Sequence, residues 1–129
     1  MRTALGAVTL AFGTVAALAV PANAAAVTQL TVSIAPDIST GPAAKSVTLE
    51  CEPTGGTHPD AEAACADLIK AGGDFRKIPR VPGATCPQYY DPVTASVVGR
   101  WRGMFISTSA RYINAACANV ETGGHVFHF

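Results

Sequence analysis

The chain has 129 residues, of which 49% are hydrophobic and 14% are charged, and its nine basic side chains are balanced by nine acidic ones. This neutral balance gives no cationic surface of the kind that binds nucleic acid or anionic lipid, so we expect neither as a partner. The length corresponds to one small domain.

The first 24 residues have the organisation of a secretory signal peptide. Arg2 is their only charged residue, an apolar run covers residues 4–20, and Pro21-Ala22-Asn23-Ala24 ends that run with small residues. The run is short for a transmembrane helix, and no second apolar run follows it. We therefore predict a signal peptide at residues 1–24 and a secreted, extracellular domain at residues 25–129, with no membrane attachment after signal removal.

The predicted domain contains four cysteines, an even number in a short exported chain. This pattern predicts two disulfides, which a domain with a modest core needs for stability. Four cysteines allow three pairings, and the residues by themselves do not choose among them. The four are Cys51, Cys65, Cys86 and Cys117.

The first half of the domain has two β patterns and one helical pattern. Apolar residues alternate with polar ones from Leu30 to Ile34 and again from Val47 to Cys51, which predicts two half-buried strands. Asp60 can cap a helix over Ala61–Lys70, where small and apolar residues form one stripe. Gly72-Gly73 ends this helix.

The second half begins with an irregular stretch from Asp74 to Pro87 and then returns to β-prone sequence. The predicted elements are a hairpin of residues 93–98 and 101–108 that turns at Gly99-Arg100, a short helix within residues 110–120, and a terminal strand at residues 125–129. The elements together predict an α+β domain, an antiparallel sheet with one or two helices packed against it.

The sequence carries no motif typical of an enzyme. Its serines lie in no Gly-x-Ser-x-Gly turn, and an even number of cysteines leaves no unpaired thiol. On a strand, His125 and His128 would project to opposite faces, and for His58 a backbone hydrogen bond is favoured over metal ligation. We expect a protein that is not an enzyme and has no cofactor or metal, with a triad assembled from distant residues as the remaining alternative.

The segment from Cys86 to Tyr90 is constrained at both ends. Pro87 favours an extended backbone at Cys86, and Pro92 does the same at Asp91. A protease binds its substrate as an added extended strand, so a segment held in that shape loses little entropy on docking. The pattern fits the binding loop of a protease inhibitor, and the alternative is an ordinary connecting loop.

Two stretches of the chain resemble the Streptomyces subtilisin inhibitor family. The stretches are Cys51-Glu52-Pro53-Thr54-Gly55-Gly56-Thr57-His58-Pro59 with Ala64-Cys65-Ala66-Asp67-Leu68, and Cys86-Pro87-Gln88-Tyr89-Tyr90-Asp91-Pro92-Val93 with Gly99-Arg100-Trp101-Arg102-Gly103. The terminal Val126-Phe127-His128-Phe129 is also similar to the family.

The resemblance implies a secreted inhibitor of serine proteases, with subtilisin-like enzymes first among its partners and trypsin-like or chymotrypsin-like enzymes as further targets. It implies disulfides Cys51–Cys65 and Cys86–Cys117. The reactive bond would be Gln88-Tyr89, within a binding loop that also includes Cys86, Pro87, Tyr90 and Asp91.

The resemblance also implies a five-stranded antiparallel sheet with two helices on one face, and a homodimer that forms through the sheets. Trp101 would then lie in the dimer interface, which the resemblance favours, or it would be a partly exposed core aromatic.

Gln88 departs from the family pattern, which usually has an apolar or a basic residue at this position. We therefore expect weaker inhibition of subtilisin than an apolar residue would give. The alternative function is a secreted, disulfide-stapled interaction module, or a transglutaminase substrate, that has lost strong inhibition.

Overall fold

A computed structural model describes residues 10–17, 27–38 and 43–129. The predicted signal peptide lies largely outside these residues, and residues 10–17 are exposed without regular secondary structure. Within the described residues, no helix has the length and apolar character needed to cross a bilayer. The elements are β1 (Thr28–Pro36), β2 (Lys45–Cys51), α1 (Ala61–Lys70), a 3₁₀ turn (Phe75–Lys77), β3 (Val93–Trp101), β4 (Met104–Tyr112) and α2 (Ala115–Glu121).

The strands form one antiparallel sheet in the order β2-β1-β3-β4. Alternate residues point to opposite faces of a strand, so the alternation in the sequence places one apolar face inward. Leu30 and Val32 of β1, Leu49 of β2 and Val97 of β3 are all buried on this face. The predicted strands in the first half of the domain are therefore confirmed.

Both helices contribute to the core on this inner face. Ala64, Cys65 and Leu68 of α1 are buried, as the predicted stripe requires, and so are Cys117 and Ala118 of α2. The predicted helix at residues 61–70 is confirmed, whereas α2 begins at Ala115 because the preceding residues continue β4. Each helix is joined to the rest of the fold by a disulfide.

The prediction of five strands is wrong, because the sheet in the described residues has four. The expected fifth strand at residues 125–129 is instead a turn followed by irregular backbone. Gly123 and Gly124 both have positive φ, and the carbonyl of Val126 lies 2.8 Å from His58 Nε2. The tail is thus fixed by side-chain contacts, including an edge-to-face contact between Phe127 and Phe75.

The hairpin between β3 and β4 also turns at a different place from the one predicted. Its two central residues are Arg102 and Gly103, which both have positive φ, the conformation of a tight type I′ turn. Gly99 lies within β3, where a Cβ atom would come within 2.2 Å of the Gln29 carbonyl oxygen. This glycine allows two strands to approach and does not mark a turn.

Trp101 is buried within the single chain, with 7% of its surface exposed. Its ring lies against Gly73, where a Cβ atom would come within 2.8 Å of the indole. The expectation that a dimer interface buries Trp101 is therefore wrong, since this side chain belongs to the protomer's own core.

Candidate binding loop

The segment Cys86–Asp91 is an irregular loop that leads into β3. Its side chains point into solvent: Gln88 is exposed, and Tyr89 and Tyr90 are 52% and 70% exposed. An exposed aromatic pair is uncommon in a loop that only connects two elements, because such side chains usually contribute to the core. The loop therefore presents side chains without using them for its own stability.

The first anchor of this loop is the disulfide between Cys86 and Cys117. Cys117 is buried in the first half of α2, and the two Cα atoms are 5.1 Å apart. The N-terminal end of the loop is thereby attached to a helix that is itself packed in the core.

The second anchor is the side chain of Asn114, which is completely buried. Its Nδ2 donates hydrogen bonds to the carbonyl oxygens of Pro87, at 2.8 Å, and Tyr89, at 2.9 Å. Its Oδ1 accepts a hydrogen bond from the Cys117 backbone N–H at 2.8 Å, which caps the N-terminus of α2. One amide thus satisfies the helix end and holds the backbone on both sides of Gln88.

The third anchor holds the C-terminal end of the loop. The Asp91 N–H donates to the Ile113 carbonyl at 2.8 Å, and the Asp37 N–H donates to the Pro92 carbonyl at 2.9 Å. The Asp37 carboxylate in turn pairs with Arg111 and accepts a hydrogen bond from the Thr94 hydroxyl. The loop is therefore fixed on both sides of the exposed residues.

The side chain of Gln88 is folded back along the loop. Its Nε2 donates to the Cys86 carbonyl at 3.1 Å. Asp91 is the only residue with a formal charge from Cys86 to Asp91. Nearby, burial raises the pKa of Tyr112 above its usual value, because desolvation disfavours the phenolate. The segment itself therefore carries a single negative charge, and Tyr112 beside it stays neutral.

The predicted loop residues all lie in this one segment, and the structure contains the disulfides Cys51–Cys65 and Cys86–Cys117 that the resemblance implies. Sequence reasoning missed Asn114 and Asp37. The available signal for Asn114 was an asparagine just before a stretch of helix-forming residues, which is typical of an N-cap. His58 is buried, and its contacts with Val126 and Asp60 are hydrogen bonds to backbone, as predicted.

Comparisons with known proteins show the family of this chain. The profile of a family described as subtilisin inhibitor-like matches residues 24–114. The chain is 39% identical to the subtilisin inhibitor of Streptomyces albogriseolus over 121 residues, which cover 88% of this chain and 83% of that protein. It is 37% identical to the trypsin inhibitor STI2 of Streptomyces longisporus, with the same shares of each chain covered.

A solved structure has the same fold. Sermetstatin of Streptomyces caespitosus, in complex with Bacillus licheniformis subtilisin, superposes with a TM-score of 0.60 and 23% identity, over 79% of this chain and 96% of that one. The curated relatives are named as inhibitors, so the prediction that this chain is not an enzyme is confirmed. The chain belongs to the subtilisin inhibitor-like family.

Proposed function

We propose that this protein is a secreted inhibitor of serine proteases that binds its target as a substrate does, with Gln88-Tyr89 as the reactive bond. Relatives that are named subtilisin and trypsin inhibitors support the class of function. Sermetstatin, which shares the fold, was solved in complex with subtilisin and supports the class of partner.

The observation that carries this proposal is the pair of hydrogen bonds from Asn114. They reach the carbonyls of Pro87 and Tyr89, the residues on either side of Gln88. A protease recognises the backbone of an extended substrate and places one side chain in a specificity pocket. A loop whose backbone is held from inside while its side chains are exposed meets both requirements.

The same anchors account for resistance to cleavage. Attack on the Gln88 carbonyl carbon by the protease serine breaks the bond to the Tyr89 nitrogen, and the Tyr89 amine must then leave before water can hydrolyse the acyl-enzyme. Asn114 and the Cys86–Cys117 disulfide keep that amine close to the acyl carbon. Re-formation of the bond is then intramolecular and competes with hydrolysis.

Incubation of the mature chain with subtilisin, trypsin and chymotrypsin tests the function. We expect stoichiometric inhibition of at least one enzyme and slow cleavage at a single site, with Tyr89 as the new N-terminal residue in Edman sequencing. Rapid degradation, with no inhibition of any of the three, would contradict the proposal and favour an interaction module that lacks inhibition.

Asn114→Ser tests the observation itself. Serine also caps helices, so α2 keeps a capping oxygen, but its side chain is too short to reach both loop carbonyls. Each lost hydrogen bond is worth about 1 kcal/mol, so we expect inhibition to weaken by about 10-fold or more and cleavage at Gln88-Tyr89 to accelerate.

Asn119→Ser is the matched control in the same helix. Within the described residues, the buried Asn119 Oδ1 has no hydrogen-bond partner. We expect this variant to inhibit as the parent protein does. Equal inhibition by both variants would remove Asn114 from the mechanism.

We further propose that the chain forms a homodimer through the outer face of the sheet. This face is rich in serine and threonine, but Val98 and Phe105, diagonal neighbours on β3 and β4, are 37% and 67% exposed there. Sedimentation equilibrium should give twice the chain mass, and Phe105→Lys should shift it to the monomer. A parent protein that is monomeric at high concentration would contradict this proposal.

We infer export from the predicted signal at residues 1–24. Protein recovered from the culture medium should therefore begin at Ala25 or within a few residues of it. Retention of the protein in the cell with Met1 intact would contradict this inference.

A further inference from the structure

The side chain of Gln88 raises a question of specificity that rests on the proposed function. In the free protein its Nε2 donates to the Cys86 carbonyl. Within the described part of the chain, no group donates a hydrogen bond to its Oε1, which faces solvent. The side chain therefore offers an unmatched carbonyl at its tip.

Docking to a protease would change these hydrogen bonds. A protease pairs its backbone with the backbone of the bound loop, so carbonyls such as that of Cys86 become acceptors for the enzyme. For Gln88 to enter the specificity pocket, Nε2 must release the Cys86 carbonyl. The amide then arrives in the pocket with both its donor and its acceptor groups unpaired.

Serine protease pockets differ in how they would receive this amide. A hydrophobic slot leaves both ends of it unpaired, which weakens binding by about 5- to 150-fold. A pocket with a carboxylate at its base is complementary to a positively charged side chain. Gln88 is neutral and leaves that carboxylate without a cationic partner. A pocket lined by hydrogen-bond donors matches the side-chain carbonyl.

We infer that the preferred target is a serine protease whose primary pocket donates hydrogen bonds to a side-chain carbonyl, an enzyme that cleaves after glutamate or glutamine. The charge of the loop agrees with this choice. The one formal charge from Cys86 to Asp91 is the exposed carboxylate of Asp91, three residues after Gln88, and Arg111 of the adjoining β4 is paired with Asp37. A pocket built to receive carboxylates has positive potential, which a negative loop complements.

A set of near-isosteric variants tests this inference. Gln88→Met has a similar length without polar ends, and Gln88→Glu keeps the side-chain carbonyl while replacing the amine. Inhibition constants are measured for the parent protein and both variants against subtilisin and against a serine protease that cleaves after glutamate, at the same salt concentration. Circular dichroism spectra confirm that all three proteins are folded.

We expect opposite orders of affinity with the two enzymes. With subtilisin, the Met variant should bind at least about 5-fold tighter than the parent protein, and the Glu variant should bind most weakly. With the glutamate-cleaving enzyme, the parent and Glu proteins should both bind at least about 10-fold tighter than the Met variant, because the donors of the pocket lack a partner when methionine is bound.

Two results would overturn the inference, and they differ from failure of the proposed function. If the Met variant inhibits the glutamate-cleaving enzyme as well as the parent protein does, or if the parent protein inhibits subtilisin as well as the Met variant does, the pocket assignment is wrong while inhibition itself stands. If all three folded proteins inhibit neither enzyme, the proposed function fails and this inference fails with it.

Discussion

The chain contains two segments closed by disulfides, and they are built in opposite ways. In the segment from Cys51 to Cys65, the backbone folds on itself through a bridge between Glu50 and Gly55, and the His58 side chain turns inward. In the segment from Cys86 to Cys117, the loop side chains turn outward and a buried amide from Asn114 holds the backbone. The first segment is held by a buried histidine side chain, whereas the loop that begins the second segment is held by hydrogen bonds to its backbone carbonyls.

This difference shows that a loop can be held in one shape without contributing to the core. The exposed Tyr89 and Tyr90 lose little solvent contact on folding, so they add little to the stability of the free protein. They remain available for burial by a partner. The segment closed by Cys86–Cys117 also contains the buried core residues Val93, Val97 and Trp101. The residues that stabilise the fold and those that are free to contact a partner are therefore different residues of the same disulfide-closed segment.

Removal of each disulfide should have the largest effects on the free energy of unfolding. It should also distinguish the contribution of each disulfide to stability from its contribution to inhibition. The sequence separations are 14 for Cys51–Cys65 and 31 for Cys86–Cys117, so loss of chain entropy predicts destabilisation by about 3 and about 4 kcal/mol. Denaturant unfolding of the double serine variants measures both values.

Protease assays on the same two variants complete the comparison. The variant that lacks Cys86–Cys117 should be cleaved rapidly at the loop, whereas the variant that lacks Cys51–Cys65 should still inhibit at temperatures where it is folded. Equal rates of loop cleavage in the two folded variants would show that the second disulfide has no specific role in inhibition.

His58→Ala should have the next largest effect, on stability alone. His58 lies 2.8 Å from the Val126 carbonyl through Nε2, accepts from the Asp60 N–H through Nδ1, and contacts the Phe129 ring. Loss of one buried and one partly buried hydrogen bond, and of packing, should lower the free energy of unfolding by about 2 to 3 kcal/mol.

His125→Ala is the control for this prediction, because His125 contacts Asp67 at a partly exposed position. We expect a loss of less than about 1 kcal/mol. If the two histidine variants unfold at the same denaturant concentration, the tail is not fixed through His58.

The smallest effect should be a change in how stability depends on pH, caused by Glu52 in the first segment. The hydrogen bond from Arg102 lowers the pKa of Glu52 below its usual value of 4.5 and outweighs the opposing effect of desolvation. A carboxyl group whose pKa is lower in the folded state stabilises the fold above its unfolded pKa, and this stabilisation disappears as the pH falls through the folded value.

Glu52→Gln should therefore reduce stability slightly at about pH 7 and not at about pH 2, as followed by urea unfolding. The pair of Asp74 with Arg76, where hydrogen bonding also lowers the pKa of Asp74, is present in both proteins and cancels in the comparison. A constant difference between the proteins at all pH values would contradict this assignment.

The sequence was most informative for elements whose only requirement is to bury one apolar face. Alternation over Leu30–Ile34 and Val47–Cys51, and the stripe in Ala61–Lys70, identified three elements because each needs only one apolar face. It was misleading at Gly99 and at Val126–Phe129. Gly99 serves close approach of two strands, and the tail alternates in sequence but is held by His58, a contact 68 residues away.

The candidate loop could be predicted because prolines and a cysteine constrain it locally. The contacts of Asn114 with the loop could not be predicted, because its partners Pro87 and Tyr89 lie 27 and 25 residues earlier and meet it only after α2 is in place. The family resemblance supplied the disulfide pairing, which the spacing of four cysteines left open. Its count of five strands was wrong for the part of the chain that the structure describes, where the sheet has four.

The Gln88-Tyr89 bond lies between the two halves of the sheet in the chain. Hydrolysis there would divide the chain into two polypeptides that the Cys86–Cys117 disulfide still joins, and in the sheet the boundary between them would fall between the central neighbours β1 and β3. One product would carry β1, β2 and α1, and the other β3, β4 and α2. The protein is thus organised as two complementary half-sheets joined by the proposed reactive bond and by the Cys86–Cys117 disulfide, and co-expression of the halves as separate polypeptides should reconstitute a split protein through the β1–β3 ladder.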